Sequence, residues 1–359
     1  MSKLSSRESG MVVGLDLGDK FSLLCILNDQ AEVIEESRVR TTPEGLQKRF
    51  ASLPPCRVAL EVGTHSPWVQ RLLKGLGHEV LVANPRKLRL IYQNESKDDR
   101  LDAEKLARLA RVDPKLLHTI QHRDSQSQED LAVLRSRQSL VEARTKLVNH
   151  VRGSVKSVGA RLQGCSTASF HKQALGQLPP GLRPALTPIV ETIADLSRRI
   201  QRYDKQVQQL AEQRYPQTDL LRQVAGVGHL TALWFVLVIG DPHRFSSSRH
   251  VGSYLGLRPR KNQSGKGDPE LRITKVGDSE LRRLLVTAGQ YILGAFGPDT
   301  DLRRWGLALA QRGRKNAKKR AVVAVARKLA VLLHALWLNA EVYEPLRHSK
   351  AATDRQPAA

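Results

Sequence analysis

The stretch MVVGLDLGDKFSLLCILNDQAEVIEESRVR, residues 11–40, decides the fold. Residues 11–17 form an apolar run with Asp16 at its end, residues 21–27 form a second apolar run, and residues 32–38 alternate. The breaks between them, Gly18-Asp19-Lys20 and Asn28-Asp29, have turn chemistry and are far too short for a crossover. Three consecutive antiparallel strands follow from that spacing.

Outward from this meander the pattern changes to alternating helix and strand. Thr42-Pro43-Glu44 opens a helix, threonine serving as cap and proline suiting the first turn. Strand 57–62, helix 67–76, strand 79–83 and helices over 85–93 and 99–111 complete a β-β-β-α-β-α-β-α series. A ribonuclease H-like α/β domain over residues 1–118 is the leading arrangement for that order. Actin-like ATPases share it, so topology alone assigns no function.

The middle of the chain is helical. Leu134, Val141, Val148 and Val155 recur every seven residues, with Leu140 and Leu147 alongside. Ile189, Ile193, Leu196, Ile200, Tyr203, Val207 and Leu210 step by alternating fours and threes between the charged flanks Arg198, Arg199, Arg202, Asp204 and Lys205. Such a seam needs a partner helix. Residues 163–188, rich in Gly, Pro and Ser, read as the turn-around. The expectation is an antiparallel coiled-coil arm over 119–214 that joins copies into a dimer or tetramer. Two ordinary helices packed within one domain are the alternative.

Residues 215–346 predict a mostly α-helical third domain, and 347–359 a frayed tail. Its opening, LLRQVAGVGHLTA (220–232), reads as helix, Gly226-x-Gly228 turn and apolar helix, the pattern of a helix-hairpin-helix whose main-chain amides face a phosphate. A plain tight turn has the same signature.

Composition bounds the partner. Lysine and arginine number 58 against 35 acids in 359 residues, a net charge of +23 and a pI near 10.4, which calls for a polyanion. Between 302 and 328 ten cations occur without one acid, Arg314, Lys315, Lys318, Lys319 and Arg320 forming the densest part. Duplex DNA against those side chains gives a steep salt dependence. Aromatics are only 4%, so RNA would be held by shape and backbone more than by stacking. Cys25, Cys56 and Cys165 fit neither a disulfide framework nor a zinc site, which points to a reducing cytoplasm. The first ten residues are polar, the run 230–240 is too short for a bilayer, and Arg327 and Lys328 interrupt 322–338. No membrane is expected, and the location implied is the bacterial cytoplasm, with the nucleoid.

Four acids stand at informative addresses: Asp16 ends the first strand, Glu61 the fourth, and Asp99 and Asp102 share a face at the start of a helix. An acid at the end of an apolar strand is costly unless a cation neutralises it. Carboxylates select magnesium or manganese, and a pair of such ions supports phosphoryl transfer. Capping, or pairing with Lys97, Arg100 or Lys105, is the plainer role for any one of them. Asp98 competes with Asp99 as the ligand.

GLDLG around Asp16, ALEVG around Glu61, KDDRLDA at 97–103, then VAGVGHLTA, YLGLRP, QSG and ITKVGDSELRRLL together resemble the DEDD transposases of bacterial insertion sequences, the one-ten/eleven-eleven family of bridge-RNA-guided recombinases. The match runs in order over nearly the whole chain. The resemblance implies a RuvC-like domain whose Asp16, Glu61, Asp99 and Asp102 hold magnesium. It also implies a C-terminal transposase domain whose Ser264, in QSG, attacks a phosphodiester to leave a phosphoserine–DNA intermediate. Donor and target DNA duplexes, a structured guide RNA and a composite site between protomers come with it. Around Ser264 the glycine-bearing loop lets backbone approach a phosphate, with Lys261 and Lys266 to steady charge. Tyr254 and Tyr291 are rival nucleophiles, though their apolar neighbours favour packing. An actin-like ATPase (from GLDLGDKFS), a Holliday-junction nuclease and a non-catalytic DNA binder are the competing functions.

Overall fold

The computed structural model describes residues 10–85, 88, 99–261, 271–313 and 316–347. Ser264, Lys266, Arg314, Lys315, Asp98, Lys97 and most of the helix expected over 85–93 lie outside them. The chain divides into two compact units between Ser125 and Gln126.

The first unit is a five-stranded mixed sheet of order β3-β2-β1-β4-β5, with β1 Val12–Asp16, β2 Phe21–Leu27, β3 Val33–Arg40, β4 Arg57–Glu61 and β5 Glu79–Ala83. The first three strands pair antiparallel; β4 joins β1 in parallel, and β5 joins β4 in parallel. Among the described residues three helices cover it: α1 Pro43–Ala51, α2 Ser66–Gly75 and α3 Asp99–Val112. Thr42 caps α1 as expected, its hydroxyl accepting from the Gly45 amide at 3.1 Å.

Alternation along the strands sorts the two faces. Val13, Leu15, Val58 and Leu60 pack with Leu46, Phe50, Val69 and Leu73 of α1 and α2. Val12 and Ala59 pack with Ala103, Leu106 and Ala107 of α3. Small residues let this helix lie directly on the sheet. A Cβ at Gly14 would run into the Ala103 carbonyl and lie 2.8 Å from the Ala107 amide nitrogen.

The second unit is helical. Helix α4, Ser125–Ser157, and helix α6, Arg183–Arg214, run antiparallel, with the short α5, Phe170–Gln177, between them in sequence. Arg137 donates to Asp204 at 2.6 Å and, seven residues on, Arg144 donates to Ser197 at 3.3 Å. Leu134, Val148 and Val155 are buried in this contact as expected, whereas Val141 is half-buried.

On α6 the contact differs from the expected seam. Ile193, Ile200 and Val207 are buried as expected, but Leu186, Val190, Ser197 and Ala211 share the buried face. Ile189, Leu196, Tyr203 and Leu210 form a half-buried flank instead. The reason is that small or polar residues serve against the two arginines of α4, a pattern that a search for large apolar residues passes over. Helix α6 also begins inside the expected turn-around, at Arg183, and carries Pro188 within it.

The base of this pair enters the core of the C-terminal helices through Leu131, Leu134, Val207 and Ala211, while its tip closes on Phe170, Ala174 and Leu178 around α5. The remaining helices are α7 Thr218–Arg222, α8 His229–Ile239, α9 Arg249–Tyr254, α10 Ser279–Leu293, α11 Asp301–Ala310 and α12 Ala317–Asn339. Helix α8 is buried from Thr231 to Ile239. Helix α12 is long and apolar enough to cross a membrane by length and composition, but Val325, Ala326, Leu329, Ala330 and Leu333 are buried in the core of this unit.

Candidate active site and nucleic-acid interface

Strand register places the first two acids. Leu15 of β1 is paired with Leu60 of β4 in a parallel ladder, so Asp16 and Glu61 follow at neighbouring strand ends. Both belong to the alternation set that faces α3, as do Gly14 and Ala59. Ala103 sits over Gly14, so the N-terminal turn of α3 reaches the same sheet edge. Asp102 is half-buried there and lies 3.5 Å from the Lys105 ammonium, which is the pairing role considered for it. Asp99 begins α3; its side chain is outside the described residues.

The loop after Glu61 is fixed from within. Ser66 is fully buried, and its Oγ accepts from the Gly63 amide at 2.9 Å and lies 2.8 Å from His122 Nε2. Burial, then Arg71 and Arg123, push the His122 pKa below its usual value, which favours the neutral ring. Two residues not singled out in the sequence join this edge. His65 Nδ1 accepts the Trp68 indole N–H at 3.2 Å, leaving Nε2 3.8 Å from Asp19 in the β1–β2 turn. No motif marks them, because turn and loop come together only through the β1–β4 pairing.

Among the described residues no three His, Cys, Asp or Glu side chains are grouped tightly enough to hold a metal ion. Asp16, Glu61 and Asp102 are carboxylates, the donor type that magnesium and manganese take, and stand on three elements that reach one sheet edge. Cys25 and Cys56 do not compete for chemistry. Burial raises the Cys25 and Cys56 thiols to about 11, so both stay protonated.

In the second unit Gly226 takes a φ of +86° that only glycine adopts without strain, and a Cβ there would press on Tyr291 and Ala288 of α10. Gly228 is the residue before α8, and both glycines are exposed. Helix α7 is only five residues long. Tyr254 stacks edge-on against Phe245 at 5.4 Å, and Tyr291 is 46% exposed.

The basic run separates into two groups. Arg303 donates to the Ile292 and Gly294 carbonyls, and Arg304 pairs with Asp299 at 2.6 Å, so these two serve the fold. Lys318, Lys319, Arg320, Arg327 and Lys328 are exposed on α12, and Lys261 is exposed beside the unit's one described β-bridge, Pro259 with Ile273.

Between α12 and that bridge lies a groove of about 1120 Å³. Its floor includes Leu257, Ile273, Trp305, Val323 and Val331. Among the described residues every charged side chain lining it is cationic: Arg249, Arg272, Lys275, Lys319, Arg320, Arg327 and Lys328. The Lys328 ammonium stands 4.2 Å above the Trp305 ring. Sequence inspection finds the α12 cations but not Arg249, Arg272 and Lys275, which converge on them only in three dimensions.

Comparison with known proteins gives two family matches along the chain. A transposase family model matches residues 13–159, and a second, the transposase IS116/IS110/IS902 family, matches residues 218–302. A transposase for insertion sequence element IS1111A of Coxiella burnetii is 28% identical over 341 residues, covering 92% of this chain and 91% of that protein. A probable family 20 transposase of Pseudomonas aeruginosa is 30% identical over 305 residues, covering 82% of this chain and 88% of its own. A pilin gene-inverting protein of Moraxella lacunata is 31% identical over 151 residues, 41% of this chain and 45% of its own. The chain therefore belongs to the IS110 family of DEDD transposases of insertion sequences, and is a DNA-processing enzyme.

Proposed function

We propose that this transposase is an RNA-guided recombinase that cleaves and exchanges DNA strands at a magnesium or manganese site built on a ribonuclease H-like domain. The observation that carries the reading is the register that sets Asp16 and Glu61 side by side, on the sheet face covered by α3 and at the edge its first turn reaches. Asp16, Glu61, Asp99 and Asp102 would hold the ion, which when bound neutralises charge on a phosphodiester. Lys105 would give up its contact with Asp102 on loading.

Ser264 supplies the attacking oxygen: its Oγ bonds to phosphorus, the strand's own oxygen leaves as a hydroxyl, and the product is a phosphoserine ester. Lys261, Lys266 and the α12 cations hold the DNA backbone, with Arg314 and Lys315 continuing that run and the Gly226–Gly228 turn offering amides to a phosphate. A structured guide RNA accounts for the remaining cationic surface.

Self-association through the α4–α6 arm is supported by its flank, where Leu140, Leu147, Leu196 and Tyr203 are only half-buried at heptad spacing. Asp16→Asn should abolish strand cleavage and leave DNA binding intact, and Ser264→Ala should prevent a covalent protein–DNA adduct. Unchanged cleavage by the first variant refutes the metal site; an adduct formed by the second moves the nucleophile elsewhere.

A further inference from the structure

We infer that the groove between α12 and the Pro259–Ile273 bridge holds an unpaired stretch of nucleic acid, bases on its apolar floor and phosphates on its cationic rim; this rests on the nucleic-acid reading above. Helix α12 shows how one face does both. Asn316, Lys319, Arg320, Val323, Ala324, Arg327, Lys328 and Val331 point into the groove, so cations lie one turn to either side of an apolar step. Its opposite face, Val325, Ala326, Leu329 and Leu333, is spent on the core.

The cationic half of this lining suits any phosphate backbone, but the apolar half does not suit a duplex. Paired DNA presents phosphates outward and keeps the flat faces of its bases stacked, so an apolar floor beneath it would gain nothing. An unpaired strand exposes those faces, and each base that stacks on an aromatic ring is worth about 1–3 kcal/mol. Trp305 supplies such a ring, and arginine planes stack bases as well. The volume of about 1120 Å³ exceeds the usual range for a single small ligand, roughly 300–1,000 Å³, and leaves room for more than one nucleotide.

Charge supplies the second argument. Lys318, Lys319 and Arg320 crowd the first turn of α12 with no acid among them, where the helix dipole already disfavours cations. A polyanion against that turn removes the conflict. An acidic peptide would satisfy the charge but has no need of a flat aromatic partner, so the nucleic acid is favoured. The groove also lies where the chain enters and leaves residues 262–270, since Pro259 and Leu271 both line it.

The test uses the purified full chain with a fluorescent single strand of about twelve nucleotides and a blunt duplex of the same sequence. Ala324→Glu places an acid in the groove without touching the core. It should weaken single-strand binding about tenfold or more and duplex binding by a clearly smaller factor. Trp305→Ala should cost the single strand at least about fivefold, the lower end expected for a lost stacking partner. Because Trp305 is half-buried, a 5-iodouracil strand photo-crosslinked to wild-type protein gives an independent reading, and adducts should map to α11, α12 or residues 271–275.

Equal losses on both nucleic acids, no loss on either, or adducts confined elsewhere would overturn the inference while leaving general DNA binding in place. Displacement of the strand by an acidic peptide with Ala324→Glu affecting only the peptide would also overturn it. A wild-type chain that binds neither strand nor duplex would instead refute the nucleic-acid reading itself.

Discussion

At the carboxyl edge of the N-terminal sheet, acids are positioned by backbone register, whereas in the C-terminal unit seven cations converge on a groove from three separate segments. The two constructions suit different tasks. A reacting group needs a position fixed to a fraction of an ångström, and hydrogen-bonded strands beneath a closely packed helix provide it. Phosphates need only proximity to charge, which long side chains on separate elements can supply. The comparison predicts a clean split. Glu61→Gln, which removes a carboxylate of the proposed metal site, should lower cleavage at saturating DNA about 1,000-fold while leaving affinity unchanged. The double variant Lys319→Glu, Arg320→Glu should instead weaken DNA binding and flatten the logarithmic salt slope by about 0.9 for each lost phosphate contact, with cleavage at saturation retained. Filter binding across a salt series, alongside single-turnover cleavage, reads both. Coincident loss of affinity and chemistry in the Glu61 variant would dissolve the distinction.

The same contrast extends to stability. Gly14 has α3 backbone against it, so Gly14→Ala must push the helix off the sheet and should cost about 3 kcal/mol, at the upper end for an overpacked site. Gly153 lies exposed within α4 with open space where a Cβ would stand. Gly153→Ala should therefore stabilise the helical unit by about 0.5–1 kcal/mol through backbone entropy and helix propensity. Urea unfolding of both variants measures the difference in sign. A neutral Gly14→Ala would mean that α3 does not rest on β1, and the placement of Asp102 would go with it.

Much of the first unit was legible in the sequence because its signals are local. Turn chemistry at Gly18-Asp19-Lys20 and Asn28-Asp29 fixed the meander, and the run 57–61 could enter a parallel pair only by the αβ crossover that precedes it. Asp16 and Glu61 stand out in the sequence because each is a carboxylate at the end of an apolar strand, and the register then sets the two strand ends side by side. The arm was legible as a helix pair but not in its inner face, since Arg137, Arg144, Ser197 and Asp204 meet there through hydrogen bonds that a hydrophobic pattern does not register. The groove was least legible. Arg249, Arg272 and Lys275 have no spacing relative to α12, and only folding brings them to Lys319 and Arg327.

Acid sensitivity gives the smallest effect and reaches both units. His334 has no exposed surface; its Nε2 lies 2.9 Å from the Pro242 carbonyl and so carries the proton, while Nδ1 accepts from Ser248 at 2.9 Å. Burial pushes its pKa below the usual 6.5, against an upward pull from the Pro242 carbonyl and with a smaller downward push from the nearby His243. His122 in the first unit is lowered in the same direction. A histidine whose folded pKa is depressed binds its proton more readily when unfolded. Its contribution to stability is therefore complete above about pH 6.5 and is lost as the pH falls from there toward the folded pKa. The loss is at most about 1.4 kcal/mol per pH unit for each such histidine. Urea midpoints should therefore drop between pH 7.5 and 5.5, and in His334→Gln, though less stable at pH 7.5, the unfolding of the helical unit should depend less steeply on pH. An unchanged slope in that variant would assign the helical unit's acid sensitivity to His171 instead, whose pKa burial also lowers, whereas the unfolding of the sheet unit reads His122 separately.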